Sequence, residues 1–390
     1  MKKQLERNIR LYGVLKIFTK RVFLPLTTIY LAEVAGLTLK QIGLLASLSA
    51  VISFLADVPT GYFADRAGRR ASLIAAASLA MLAALTYAVF PSVTGVIVAV
   101  VLESLAYSFL SGSSEALMHD TLRELNRIDD YPKIVGRSQS IGLIGNTLLV
   151  LLVPLTYPIN PRLPFLIGAL CYFLLLLVVL SMHEPVRPKA GKHTLIKDLS
   201  SSLRLFVSRY TLLVFLAIGV IGGLNGATDF LNLSLKDMGL NPSHMGVAYV
   251  GGSILGIIGG YFIHLFRRTS LRTFILIDLL TSVAQMGVIG VTRNLWLSIL
   301  FFWINLGFFR LRDIMYQYHL LNVFKGSEYK ATLISVLSVF KRANEIWIPL
   351  VFTVVISGLG YYQGFTVLAV ALVVVVSPMI TIGSKILEKR

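Results

Sequence analysis

Ionisable side chains stand inside stretches that are otherwise long and apolar: Lys20 and Arg21, Glu103, Asp229, Asp278, and the group Lys341, Arg342 and Glu345. Each would be costly in hydrocarbon unless paired or hydrated, so each is a candidate for function. Three kinds of chemistry suit them. They can hold one another as ion pairs, bind a charged solute, or pass a proton. A desolvated carboxylate beside a cation can switch between its charged and neutral forms near neutral pH, which makes Glu103 and Asp229 the candidate proton carriers. Arg342 and Glu345 lie at i, i+3 on a helix and can also neutralise each other. Nearby apolar stretches carry Tyr107, Ser111, Asn225, Thr228, Asn305 and Gln317. Their phenol, hydroxyl and amide groups suit either a solute or a neighbouring helix.

Other chemistries have no sequence support. No Gly-x-x-x-x-Gly-Lys-Ser/Thr phosphate loop and no His-Glu-x-x-His pair is present. Ser111-Gly112-Ser113-Ser114 reads as the end of a helix and has no base partner. The six histidines are scattered, and the lone cysteine, Cys171, reads as a small buried hydrophobe. No catalytic residue, metal or cofactor is therefore expected.

The elements that must carry the intramembrane charges are helices. The chain has 390 residues, of which 56% are hydrophobic and 14% charged, and a mean hydropathy of +0.77. So much apolar surface does not fit inside one water-soluble core, and an integral membrane protein is expected. Apolar stretches long enough to span a bilayer run from 12–34, 40–63, 72–90 and 94–117 through to 329–356 and 360–384, twelve in all by this reading. An even number puts both termini on one side. Basic residues cluster in alternate loops, among them Arg66, Arg69, Arg70, Arg123, Arg127, Arg187, Lys189, Arg267, Arg268, Arg310 and Arg312, while the opposing loops hold only Lys40, Arg162, Lys236 and Arg293. The positive-inside rule then makes both termini cytoplasmic. The net charge of +17 follows from this asymmetry and from attraction to anionic headgroups, so nucleic acid is not an expected partner.

The organisation expected is an N-terminal bundle over 1–187, a cytoplasmic linker over 188–209, and a C-terminal bundle over 210–390. Thr194 would cap a linker helix carrying Leu195, Leu199, Leu203 and Phe206 along one side at the membrane surface. An internal repeat supports the two bundles. Gln41-Ile42-Gly43 and Gly61-Tyr62-Phe63 before Arg69-Arg70 are echoed by His244-Met245-Gly246 and Gly260-Tyr261-Phe262 before Arg267-Arg268. The copy has lost the carboxylate, with His264-Leu265-Phe266 where an Asp would stand.

Between the second and third stretches runs Gly61-Tyr62-Phe63-Ala64-Asp65-Arg66-Ala67-Gly68-Arg69-Arg70. This resembles the cytoplasmic loop signature of the major facilitator superfamily, and the likeness extends to the topology of the whole chain. It implies an all-α polytopic fold of 12 transmembrane helices in two pseudo-symmetric six-helix bundles, built as parallel repeats. It further implies that helices 1, 4, 7 and 10 line a central cavity. On that footing Arg21, Glu103, Asp229, Tyr107, Asn225 and Asn305 become candidates for solute or proton binding, with Arg342 and Glu345 on helix 11. The same resemblance implies a conformational latch of Gly61, Asp65, Arg66, Gly68, Arg69 and Asp120. Gly61 would permit close helix approach, Asp65 would face the N-terminus of the eleventh helix, and Arg69 would pair with Asp120.

The reading that follows is a secondary transporter working by alternating access, with proton-coupled efflux of small organic or amphipathic compounds. It would act as a monomer in the cell membrane, with the lipid bilayer, a small-molecule substrate and protons as its partners. Uptake or exchange of an anionic solute is the alternative within transport, favoured by the cations in the membrane. A lipid-modifying membrane enzyme is the alternative outside it.

Overall fold

Proline, glycine and small polar residues mark where helices start, break and stop in the computed structural model, which describes residues 2–186, 209–266, 268–323 and 330–387. The linker helix expected over 188–209 lies outside the described residues. Helix α1 comprises Lys2–Phe18 and, after a break containing Pro25, Thr27–Glu33. Proline has no N–H to donate and interrupts the ladder there. Next come α2 (Leu39–Ala67), α3 (Arg69–Val89) and α4, which runs as Val93–Leu110 and resumes as Ser113–Glu124. Helices α5 (Tyr131–Leu152) and α6 (Leu163–Leu180) complete the first series.

The second series starts with α7, split into Arg209–Gly223 and Thr228–Asp237, and α8, split into Met245–Tyr261 and Ile263–Phe266. Helices α9 (Leu271–Thr292) and α10 (Leu295–Val323) follow. The last helical run, Lys330–Leu387, is divided by Gly360 in a left-handed conformation (φ 77°), giving α11 and α12. Side-chain hydroxyls cap two of these starts: Ser92 accepts from the Gly95 N–H at 3.2 Å and Ser270 from the Thr273 N–H at 3.1 Å. Nine described helices are long and apolar enough to cross a membrane. Dividing the last of them at Gly360 and adding the interrupted α1 and α8 gives the twelve spans of the sequence reading.

The chain forms two compact units. The first comprises Met1–Thr38, Leu48–Gly191 and Asn241–Gly246, and the second Leu39–Ser47, Lys192–Leu240 and Val247–Arg390. The exchange is reciprocal: the start of α2 belongs with the second unit and the turn into α8 with the first, at the two places the internal repeat pairs.

In the first unit an aromatic cluster joins α1, α3 and α6. Phe165 packs against Phe23 and Tyr30 at 4.8 and 4.3 Å between ring centres, and Gly168 makes room, since a Cβ there would sit 2.4 Å from the Phe23 ring. In the second unit α7 lays Gly219, Gly222, Gly223 and Gly226 against α11. A Cβ at Gly222 would stand 2.7 Å from Lys341 Cγ and one at Gly223 2.5 Å from Asn344 Cβ. Lipid supplies no hydrophobic drive between helices, so close van der Waals packing of this kind holds the bundle together.

Three sequence expectations change. Arg310 and Arg312, read as loop residues, lie inside α10, and Arg312 is buried. Ser111-Gly112 is a break within α4 rather than its end. Lys16 is ion-paired to Glu115 at 2.5 Å. Arg69 pairs with Asp65 at 2.5 Å instead of Asp120, which pairs with Arg123 at 3.1 Å. The first pair joins residues four apart across the Gly68 turn and the second joins residues one turn apart on α4, and local geometry outcompetes the longer-range pairing.

Candidate functional site

The break in α1 brings Arg21 to Glu103 on α4, with Nη1 3.3 Å from Oε2. The Tyr87 hydroxyl donates to the same oxygen at 3.3 Å, and the guanidinium lies 5.5 Å from the centre of the Tyr107 ring. Glu103 is 8% exposed, so its charge depends on these neighbours for compensation. Beside it lies a small cleft of about 20 Å³ lined by Thr19, Glu103, Tyr107 and Tyr172 and by the apolar Ala76, Ala80, Ala106, Leu110 and Leu175.

The break in α4 builds a second ion pair. Gly112 takes a left-handed conformation (φ 72°) that other residues adopt at a cost. The Phe109 carbonyl near the break accepts from the Ser72 hydroxyl of α3 at 2.7 Å, and Ser113 donates to the Ser72 oxygen at 3.0 Å. Interrupted backbone inside a membrane needs such partners. Below the break Lys16 Nζ donates to Ser114 Oγ at 2.9 Å as well as to Glu115, and Ser114 donates to the other Glu115 oxygen at 2.6 Å.

At the turn between α2 and α3 the signature loop is held by a residue the sequence reading passed over. Glu184, just beyond α6, accepts from the backbone N–H groups of Arg69 and Arg70 at 2.9 and 2.7 Å. A carboxylate is well placed at that positive helix end. Gly68 (φ 123°) makes the approach possible, since a Cβ there would meet the carboxylate at 3.1 Å. In return Arg70 donates to the last carbonyls of α6, Val179 and Leu180, at 3.2 and 2.7 Å. Asn8 and Glu124 fasten the backbone of His183 and Val186. A methyl at Gly61 would meet nothing within 4 Å among the described residues.

In the second unit Asn225, at the break of α7, is a hydrogen-bond partner of Glu345 on α11, and Arg342 and Lys341 both act electrostatically on that carboxylate. Asp229 stands in the first turn after the break, half-buried and engaged. Asn305 donates to Ser282 of α9 at 3.3 Å, which spends one of its amide hydrogens between helices. A separate cluster is sealed in the core. Arg312 donates through Nε to Asp278 at 2.9 Å and its Nη2 lies 2.6 Å from the same oxygen, while the Tyr316 hydroxyl donates to the other oxygen at 2.6 Å. The Asp278 and Arg312 side chains are 0% and 3% exposed. Lys341 is ion-paired to Asp313.

The structure thus joins Arg21, Glu103 and Tyr107 in one cluster and Asn225, Arg342 and Glu345 in another. Glu115, Glu184 and the Arg312–Tyr316 pair were absent from the candidates. Helical spacing puts Arg312 and Tyr316 one turn apart on α10, but no local signal pairs them with Asp278.

Comparison with known proteins agrees with this architecture. The family model described as Major Facilitator Superfamily matches residues 11–341. The uncharacterized MFS-type transporter YxaM of Bacillus subtilis (strain 168) is 25% identical over 385 residues, covering 93% of this chain and 92% of that protein. Among solved structures, the nucleoside transporter NupG superposes with a TM-score of 0.80 at 15% identity, over 97% of this chain and 98% of that one. The peptide transporter POT in complex with sulfate gives 0.72 at 14% identity, over 98% and 95%. At such identities the solved structures speak for the fold alone.

Proposed function

This chain belongs to the Major Facilitator Superfamily, a family of membrane transporters rather than enzymes, and from that premise we propose that it moves small organic solutes by alternating access, coupled to protons carried on Glu103. The observation that carries the reading is the Arg21–Glu103 pair, its carboxylate buried beside a small cleft and its guanidinium partly exposed at the broken turn of α1. Ionised, Glu103 holds Arg21 and the two charges cancel. Protonated, it frees the guanidinium to take a polar group of the solute, so loading a proton and rearranging the cleft become one event. Helix breaks at the middle of a span are where transporter folds place their solute sites, which supports the location.

The loop from Gly61 to Arg70 serves in this reading as the cytoplasmic latch. The Asp65–Arg69 pair and the Glu184 cap fix its shape, and making or breaking its contacts biases the two access states. Both termini are cytoplasmic in the cell membrane, and the protein acts as a monomer. Proton and solute load together in this scheme, which runs as symport; efflux by proton antiport, the direction read from the sequence, requires instead that the two occupy the cleft in turn. Proteoliposomes under an imposed pH gradient test the whole reading, comparing a lipophilic cation with small organic anions. Gradient-driven flux of either class supports it and identifies its direction, and no flux of any solute under a gradient defeats it.

A further inference from the structure

We propose that Arg310 of α10 is the centre of an anion-binding point in the second unit, taking a carboxylate or phosphate oxygen. The cations around it are committed elsewhere: Arg312 to Asp278, Lys341 to Asp313, and Arg342 alongside Glu345. Arg310 makes no ion pair among the described residues. Its Nη2 donates to the Ser253 hydroxyl of α8 at 2.8 Å, and Ser253 passes its own hydrogen to the Tyr249 carbonyl at 3.0 Å. The buried Nε has no hydrogen-bond partner. Asp313, one turn away on the same helix, is the carboxylate that could have answered it, and Lys341 holds that group instead.

A half-buried guanidinium in mid-span with one neutral acceptor is an expensive arrangement. A charge left without compensation in a low-dielectric setting costs far more than one that is paired. The stem is seated deliberately. A Cβ at Gly256 would lie 2.4 Å from Arg310 Cδ, so the glycine of α8 makes the space in which the side chain lies. The surroundings offer donors rather than acids: Trp303, two turns earlier on α10, also has a buried Nε1 without a partner. A group rich in donors, positively charged and short of acceptors is chemically complementary to an oxyanion. Arginine presents two parallel N–H groups to such a ligand. The inference concerns equilibrium binding and does not rest on the direction or coupling of transport.

The test uses the full chain in phosphatidylcholine nanodiscs, with melting temperature and calorimetry read against sodium benzoate and inorganic phosphate. A parallel series incorporates phosphatidylglycerol to offer the same chemistry from a lipid. A rise in melting temperature with benzoate or phosphate, absent in Arg310→Gln, supports a soluble anion. A rise only with phosphatidylglycerol, again absent in the variant, supports a headgroup. A wild type indifferent to all three, or an Arg310→Gln variant that responds as the wild type does, overturns the proposal. If Arg310→Gln does not fold, Arg310→Lys serves, with a loss of affinity of about tenfold as paired donors give way to one ammonium. Unchanged affinity in that variant is equally fatal.

Discussion

The two units differ in how deeply they bury their ion pairs. In the first, each characterised pair joins α1 to α4 beside a helix break, and one partner keeps some exposure: Arg21 at 31% with Glu103, and Glu115 at 41% with Lys16. In the second, Lys341–Asp313 also keeps an exposed carboxylate, while Arg312–Asp278 is sealed and further tied by Tyr316. Accessible pairs can be opened by a proton or a solute at modest cost. A sealed pair cannot, because separating it strands a charge among apolar side chains. The contrast sets accessible pairs in the first unit against a sealed core pair in the second.

Arg312→Ala should break that contrast most severely. Removing one partner from a buried pair costs about 3–5 kcal/mol, so the variant should show a sharply lowered melting temperature in detergent and poor recovery of folded protein. A variant as stable as wild type would mean that Asp278 has another route to compensation. Asp65→Asn should act on transport and leave folding intact, since Asp65 is half exposed. A bias of about 1.4 kcal/mol between access states corresponds to tenfold in their ratio, and an initial rate lowered by about that factor with normal membrane insertion is expected. The repeat sharpens this comparison: the second unit has His264-Leu265-Phe266 at the corresponding place, so only the first loop should show the sensitivity. Lys16→Met should have the smallest effect on stability. Its partner is well exposed, and pairs of that kind contribute about 0–1 kcal/mol, so a small shift in melting temperature is expected and a large one would move Lys16 into the structural class.

The sequence was most legible where chemistry is local. Helical stretches, the duplicated halves and the loop from Gly61 to Arg70 all follow from runs and spacings within some 20 residues. Contacts between distant segments were harder. Arg312 looked like a loop residue because two arginines and an aspartate close together suggest a helix end. It is buried because Asp278, 34 residues earlier, reaches it across a helix interface, and no periodicity announces that. Glu184 stood in a polar stretch where charges are ordinary, and only the approach of α3 to the end of α6 turns it into a cap. The Arg69–Asp120 expectation failed for the converse reason: Asp65 was available at i, i+4, and proximity in the chain prevailed. The α4 break at Gly112 was visible as Ser-Gly-Ser-Ser, yet its neighbours alone did not say that the helix resumes.

The most direct test of the central claim is to follow proton movement with solute flux in proteoliposomes, comparing wild type with Glu103→Gln by an internal pH dye. Wild type should move protons whenever solute moves. The variant, with a neutral isostere in place of the carboxylate, should still exchange solute between the two sides while the dye stays silent. A Glu103→Gln protein that moves protons with solute as the wild type does would contradict the assignment of coupling to the Arg21–Glu103 pair.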